Sequence, residues 1–189
     1  MTASTTGSTP METVVERVKE FTGADLYDLC DATEAAIIDG GGFGWVRPPP
    51  RRALEAYYKG ALAIPERELF IGRLNRIVCA SAQLVRPTRN NEALAFSAHL
   101  MHSFVAPWAR GHGLARAIVL AVEDAARTAG VAVLNLDVRE TQEAAIQLYR
   151  SLGYNHWGTH PCYARVEGKP VAGFYYWKDL GAAAAAAQP

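Results

Sequence analysis

The sequence predicts an α/β fold in which one mixed sheet is flanked by helices. Strand-like and helix-like hydrophobic patterns alternate along the chain. Residues 131–138 are almost continuously apolar, which is typical of a strand buried on both faces. An amphipathic helix pattern connects this strand to the one before it, as in a βαβ crossover between parallel neighbours. No linker divides the chain, so we expect one domain over residues 11–180, between a disordered Ser/Thr-rich tail at 1–10 and an Ala-rich tail at 181–189.

The first half of the domain alternates strand and helix patterns, and glycines and prolines separate them. Glycines at 40–44 end the first helix, and prolines at 48–50 precede the second. A turn near Asn75 joins the last two strands of this half. The predicted elements are a strand at 13–18, helices at 24–38 and 51–63, and strands at 68–74 and 76–85.

The second half begins with a fourth strand at 93–105 and continues through the βαβ unit. Its first helix ends at Gly130, and Gly153 ends the next in the left-handed conformation. Ala145, Tyr149 and Leu152 share one face of that second helix. The remaining predicted elements are the strand at 131–138 and two strands at 154–157 and 172–177, separated by a long turn around 168–170.

Composition excludes several classes of protein. Half of the 189 residues are apolar, which is enough for a core that buries roughly 70% of the unfolded surface. Lysines and arginines number 19, as do aspartates and glutamates, and this balance argues against nucleic acid as a partner. The three cysteines, Cys30, Cys79 and Cys162, are far apart and odd in number, so we expect no disulfide framework, no metal site and a cytoplasmic location. No apolar run is long enough to span a membrane.

A glycine loop between the fourth strand and the following helix predicts an anion site. Glycines allow turn conformations closed to other residues, and the helix presents unpaired N–H groups and the positive end of its dipole. We expect this loop to bind a pyrophosphate. Its residues are Arg110, Gly111, His112, Gly113, Leu114 and Ala115.

Three phosphate-binding motifs compete for this loop. A P-loop requires Gly-Lys followed by Ser or Thr, whereas Gly113 is followed by Leu114 and Ala115. A dinucleotide-binding fingerprint fits the first two glycines and an acid at Asp137, but Arg116 occupies the third glycine position. The third pattern, Arg110-x-x-Gly113-x-Ala115, resembles the acetyl-CoA loop of the GNAT acetyltransferases.

A second motif follows in the order typical of that family. Residues 145–154 are similar to its Ala-x-x-Leu-Tyr-x-x-x-Gly-aromatic motif, and residues 93–154 together resemble the GNAT core. Segments 40–45, 80–84, 134–137 and 161–163 further resemble the tabtoxin-resistance branch.

The GNAT resemblance implies a mostly antiparallel sheet whose fourth and fifth strands are parallel and splay apart at the cofactor site. It implies direct, metal-free transfer of acetyl from acetyl-CoA to the primary amine of a small molecule. Tyr149 would protonate the leaving sulfur. A backbone N–H at Phe104 or Val105 would bind the oxyanion at a strand bulge, unless these are ordinary ladder positions. Gln142 replaces the family's asparagine, which contacts the pantetheine arm.

The general base has several candidates. His99 and His102 lie on the fourth strand, where strand alternation predicts opposite faces. His99 occupies the position of a glutamate in the tabtoxin-resistance relatives and is our predicted base; a structural histidine is the alternative. Asp137 would act as the base through a water molecule or would orient the histidine. The alternative is that Asp137 caps the following loop. His112 is expected beside the phosphates.

Aromatic residues with polar tips are expected to wall the acceptor pocket, although they suit a core or a subunit contact equally well. They are Phe43, Trp45, Tyr57, Tyr163 and Tyr175. Family members often form dimers, and an exposed carboxyl-terminal strand would provide the contact. Two other functions remain open. One is a non-catalytic acyl-CoA-binding module, which is favoured by Gln142 and by a histidine instead of a carboxylate at position 99. The other is a nicotinamide enzyme.

Overall fold

The computed structural model describes residues 11–41 and 44–181. Both predicted tails, apart from Gly181, and Phe43 of the predicted pocket lie outside the described residues. The strands are β1 (Thr13–Val18), β2 (Arg67–Leu74), β3 (Ile77–Val85), β4 (Ser97–Val105), β5 (Val133–Arg139), β6 (Asn155–Val166) and β7 (Lys169–Asp179). The helices are α1 (Asp25–Ile38), α2 (Arg51–Ala63), α3 (Leu114–Thr128) and α4 (Glu143–Ser151). In the described ranges, every helix is too short or too polar to cross a membrane.

The strands form one mixed sheet in the order β1-β2-β3-β4-β5-β7-β6. All neighbours are antiparallel except β4 and β5, which run parallel. Their pairing joins Ser97–His99 to Val133–Asn135 and stops there, although β4 continues to Val105. The predicted fold class and the splayed parallel pair are therefore confirmed, and the splay opens the sheet at the carboxyl end of β4.

Helices cover both faces of the sheet and create two hydrophobic cores. The amphipathic helix α3 buries Ile118 and Val122 against Ala82 and Leu100 on one face, where α4 also packs. On the other face, α1 and α2 bury Leu29, Leu54 and Tyr58 with residues of β2 and β3. The splay between β4 and β5 therefore lies between two helical layers.

The predicted element boundaries differ most from the structure at β4 and at the last two strands. β4 begins at Ser97 rather than at residue 93, because Glu92–Leu94 forms a single 3-10 turn. The last two strands form a hairpin of 12 and 11 residues instead of two short strands around a long turn. The hairpin turns at Glu167 and Gly168, where φ is 49° and 79°. Most of β6 is exposed, so no apolar alternation marks it in the sequence.

Candidate active site

A bulge in β4 lies at the point where the sheet opens. Met101 pairs with Gln83 and Phe104 pairs with Ser81, so His102 and Ser103 together oppose the single residue between those two on β3. His102 has a φ of 50°, which is uncommon for a residue with a side chain. Such bulges redirect side chains and are frequent beside active sites.

The glycine loop has the backbone geometry of an anion cradle. After a short 3-10 turn at Pro107–Ala109, Gly111 and Gly113 take φ values of 85° and 78°. α3 begins at Leu114 with neither a side-chain cap nor an acidic residue in its first turn. The positive end of the helix dipole therefore faces the loop, and no acidic side chain in the first turn of α3 opposes it.

This loop lines a cavity of about 780 Å³ between β4, α3 and α4. Among its lining residues are Phe104, Val105, Arg110, Gly111, Gly113, Leu114, Ala115, Gln142 and Tyr149. These predicted cofactor residues are thus brought together. His112 is not among the lining residues, and its Nδ1 lies 3.3 Å from the carbonyl oxygen of Ala109.

The end of α1 closes one side of this larger cavity. Arg110 Nη2 lies 2.7 Å from Asp39 Oδ2, and Gln142 Nε2 donates to the Gly40 carbonyl at 2.8 Å. The next residue, Gly41, could not be replaced without movement, because a Cβ there would lie 2.4 Å from the Ala36 carbonyl oxygen. α1 is therefore tied both to the glycine loop and to the start of α4.

A smaller cavity of about 520 Å³ is lined by residues of both splayed strands, β4 and β5, and of β6. His102, Asp137 and Tyr163 line it. The two cavities share four lining residues, which are Ser103, Gln142, Ala145 and Tyr149. Tyr149 therefore stands where the two cavities meet.

Tyr149 is buried among other tyrosines. Its ring centroid lies 5.7 Å from that of Tyr154 and 6.5 Å from that of Tyr176. Burial raises the pKa of Tyr149 to about 12, although a hydrogen bond with Ser103 acts in the opposite direction. The hydroxyl is therefore protonated at neutral pH and available as a proton donor.

Tyr163 connects β6 to the acid on β5. Its hydroxyl donates a hydrogen bond to the carboxylate of Asp137, and burial raises the pKa of Tyr163. The ring lies on the backbone of β7, because a Cβ at Gly173 would be 2.2 Å from the ring carbon Cγ of Tyr163. Gly173 therefore leaves the space in which Tyr163 reaches Asp137.

The two histidines of β4 have different surroundings. His102 packs against Tyr57 of α2 with ring centroids 5.7 Å apart. Burial is the main cause that lowers the pKa of His102; the charge of Arg67 adds to it and that of Asp137 opposes it. His99 is exposed, is the last residue of β4 that pairs with β5, and lines neither cavity.

The expectation that the two histidines face opposite sides was wrong. Ala98 and Leu100 belong to the core on the α3 face, so simple alternation would place His102 there as well. The bulge adds one residue to β4, and His102 instead lies on the α2 face beside Tyr57.

Comparison with known proteins agrees with this arrangement. The family model described as "Acetyltransferase (GNAT) family" matches residues 31–154, which is more than half of the chain. The chain belongs to the GNAT acetyltransferase family. A relative from Azospirillum brasilense, named "Uncharacterized N-acetyltransferase in hisH-hisA intergenic region", is 59% identical over 131 residues, which are 69% of this chain and 78% of the relative. This GNAT protein is an N-acetyltransferase.

Solved structures share its fold at low sequence identity. The putative acetyltransferase yncA from Salmonella typhimurium, with its cofactor acetyl-CoA, has a TM-score of 0.74 and 19% identity over 92% of this chain and 96% of that chain. A GNAT superfamily phosphinothricin acetyltransferase from Sinorhizobium meliloti, in complex with acetyl-CoA, has a TM-score of 0.75 and 17% identity over 89% of both chains. Two chains of this GNAT fold thus contain acetyl-CoA.

The residues of this GNAT chain fit the same cofactor. The first turn of α3 lacks a capping side chain, so backbone N–H groups at the glycine loop face a cavity of the size that suits an organic cofactor. The cavity continues from that loop along the end of β4 to Tyr149. A group with a diphosphate at one end and a reactive thioester at the other matches these features.

Three of the predicted acceptor-site aromatics do not line the smaller cavity. Tyr57 and Trp45 contact each other at 5.2 Å between ring centroids, and neither lines either of these two cavities. Tyr175 packs against Tyr163 at 6.0 Å between centroids. Only Tyr163, of the predicted acceptor residues in the described part of the chain, lines the smaller cavity directly.

Sequence reasoning missed several residues of this GNAT site. Arg139 was detectable, because it lies two residues after Asp137 on the same strand and therefore on the same face. Arg165 lines the same cavity but belongs to the part of β6 where no strand was predicted. Ser103 lies in the bulge, which no sequence pattern marked.

Proposed function

We propose that this enzyme transfers the acetyl group of acetyl-CoA directly to the primary amine of a small molecule. The observation that carries the proposal is the junction of the two cavities at Tyr149. A cofactor in the larger cavity and an amine in the smaller one would meet there without a carrier group on the protein. The described residues that line the two cavities include no cysteine, which also favours direct transfer.

The chain's residues have separate roles in holding the cofactor. Backbone N–H groups from Arg110 to Ala115 would hold the diphosphate, and the backbone of Phe104 and Val105 would face the thioester. The carbonyl oxygen of the Gln142 side chain would accept from the pantetheine arm, since its amide nitrogen already donates to Gly40. Bound acetyl-CoA supplies an activated acyl carbon and a thiolate leaving group.

Proton transfers balance the reaction. As the C–N bond forms and the C–S bond breaks, the amine loses a proton and the sulfur gains one. Tyr149 donates the proton to sulfur, because its raised pKa keeps the hydroxyl protonated. Asp137 lies in the same cavity to bind the ammonium form of the acceptor, and His102, held neutral by its lowered pKa, takes the first proton from it and passes that proton to solvent. The second proton, lost as the amide forms, replaces the one that Tyr149 gives to sulfur. We assign the base to His102 rather than His99 because His99 lines neither cavity.

Other features agree with a small acceptor and a reducing compartment. A cavity of about 520 Å³ is within the range that binds small organic molecules. Cys30 and Cys79 are buried free thiols, and burial raises the pKa of Cys30 to about 11, so it is unreactive. We propose a cytoplasmic enzyme that works as a single domain over residues 11–180 and forms a homodimer through its exposed carboxyl-terminal hairpin.

The test is mass spectrometry of an amine panel incubated with the full chain and acetyl-CoA. We expect acetylated amine and free CoA in equal amounts. Tyr149→Phe should lower kcat about 100-fold, while CoA affinity in calorimetry changes less than about twofold. Tyr176→Phe is the matched control, since this neighbouring buried hydroxyl has no hydrogen-bond partner within the described structure.

Each other outcome has a distinct meaning. CoA binding without acetylation of any amine would identify a non-catalytic CoA-binding module. Absence of binding to both CoA and acetyl-CoA would overturn the cofactor assignment itself. If NAD raises the unfolding temperature and CoA does not, the result would instead favour the hypothesis that the glycine loop binds a nicotinamide cofactor.

A further inference from the structure

We propose that the acceptor carries an anionic group close to its reactive amine, and that Arg139 and Arg165 select for this group. The inference rests on the proposed function, because it concerns the chemistry of the molecule that occupies the smaller cavity. It predicts an amino acid or an amino-phosphate compound rather than an alkylamine or a polyamine.

The residues that line the smaller cavity carry more positive than negative charge. Arg139 and Arg165 line it, and Asp137 is the one carboxylate among its described lining residues. His102 also lines it and is uncharged at neutral pH for the reasons given above. The lining therefore has one positive charge in excess, which disfavours an acceptor that has only cationic groups.

The charges are also separated in space along β5. Asp137 and Arg139 lie on the same face of the strand, two residues and thus about 6.6 Å apart. Asp137 pairs in the sheet with Tyr175, whereas Arg139 pairs with Gly173, nearer to the hairpin turn. An ammonium group beside Asp137 and an anion beside Arg139 would suit a molecule in which a few bonds separate the two charges.

Arg165 approaches this anionic end from β6. It lies two residues after Tyr163, whose hydroxyl binds Asp137, and both side chains line the cavity. Arg165 is exposed and forms no ion pair within the part of the chain that the structure describes. Its guanidinium is therefore available to a ligand, and guanidinium groups bind carboxylate and phosphate oxygens in paired hydrogen bonds.

The experiment compares acceptors that differ in charge but little in shape. One arm measures kcat/KM for amino acids against their carboxamides, which keep the size and lose the negative charge. A second arm compares aminoalkyl phosphates and phosphonates with the corresponding alkylamines. We expect the anionic member of a pair to be preferred at least about tenfold, and the arm with the larger preference identifies the anion.

Substitutions test whether the two arginines cause this preference. Arg165→Gln and Arg139→Gln should each reduce the preference about tenfold, mainly through a higher KM for the anionic acceptor. Arg165→Glu should favour diamines over amino acids. Arg89→Gln is the matched control, because Arg89 is an exposed arginine that lines neither cavity.

Equal turnover of acids and amides, or a preference that survives in Arg165→Gln and Arg139→Gln, would overturn this inference and leave the proposed function intact. Acetylation of peptide amino termini alone would also overturn it. Failure to acetylate any amine would overturn both proposals, and CoA calorimetry then shows whether the cofactor site itself is correct.

Discussion

Arg110 in the glycine loop forms an ion pair with Asp39 at the end of α1, with 2.7 Å between Nη2 and Oδ2. The arginine that begins the acetyl-CoA motif is therefore held by a carboxylate of another element. The two side chains are 50% and 43% exposed, so the pair itself contributes little to stability. Its larger consequence is a negative charge beside the site proposed for the diphosphate.

Removal of that charge should strengthen cofactor binding. We expect Asp39→Asn to tighten CoA binding about two- to fivefold at low salt, because repulsion of the phosphates disappears and Arg110 becomes available to them. The gain should shrink as salt screens the charges. Isothermal calorimetry with CoA at two ionic strengths measures both effects.

The control for this experiment is Asp124→Asn. Asp124 is an exposed acid near the far end of α3 that pairs with Arg127, and it should leave CoA affinity unchanged. Weaker binding in Asp39→Asn would mean that the pair positions Arg110 and does not compete with the phosphates.

The pH dependence of the reaction distinguishes the two histidines of β4. A base works only in its neutral form, and burial lowers the pKa of His102. Activity should therefore stay constant as the pH falls from 7.5 to 6.5, the ordinary histidine pKa, and should decline only below that value. His102→Asn should lower kcat/KM about 100-fold and remove this acidic limb, whereas His99→Asn should stay within about twofold of wild type. Loss of the limb in His99→Asn alone would return the base to His99.

Periodicity was enough to predict most of the fold. The boundaries of α1, α2 and α3 follow from apolar spacing with glycine or proline beside them, and the βαβ unit predicted the parallel pair. The glycine loop and Tyr149 were found because their motifs are local in sequence. Such features depend on residues a few positions apart, which a sequence pattern records.

The rest of the site depends on contacts that no local pattern encodes. The alternation rule placed His102 on the wrong face because a bulge shifts it by one residue. β6 is largely exposed, so its apolar signal was too weak to place Arg165. The contact between Arg110 and Asp39 joins residues far apart in the chain and exists only after the helices pack on the sheet.

Gly173 is expected to control the position of Tyr163. In Gly173→Ala the new Cβ would overlap the ring, with 2.2 Å to Cγ, so the ring must move away from Asp137. We expect the acceptor KM to rise about tenfold, since Asp137 loses its hydroxyl partner, and stability to fall by about 1–3 kcal/mol. Acceptor kinetics and urea unfolding measure these changes.

A second glycine of the same hairpin provides the comparison. Gly158→Ala adds a Cβ that meets no atom within 4 Å, so its kinetics should match wild type. An unchanged KM in Gly173→Ala would show that Tyr163 can reach Asp137 from another position.

A buried acid at the start of α1 should make stability depend on pH. The carboxylate of Asp25 accepts from Arg73 Nη1 at 2.8 Å and from the Thr22 backbone N–H at 3.1 Å. The hydrogen bond from Arg73 is the main cause that lowers the pKa of Asp25, and burial opposes it. This stabilisation is complete above the unfolded aspartate pKa of about 3.9 and is lost as the pH falls through the lower folded pKa.

Asp25→Asn should therefore cost about 1–3 kcal/mol of unfolding free energy at pH 7, and the difference from wild type should shrink as the pH falls below about 3.9. Urea unfolding at pH 7, 5 and 3 measures it. Asp28→Asn changes another acid of the same first turn and controls for the helix dipole, which should contribute less than about 1 kcal/mol. A loss that is as large at pH 3 as at pH 7 would assign the effect to packing around residue 25 and not to the charge of the carboxylate.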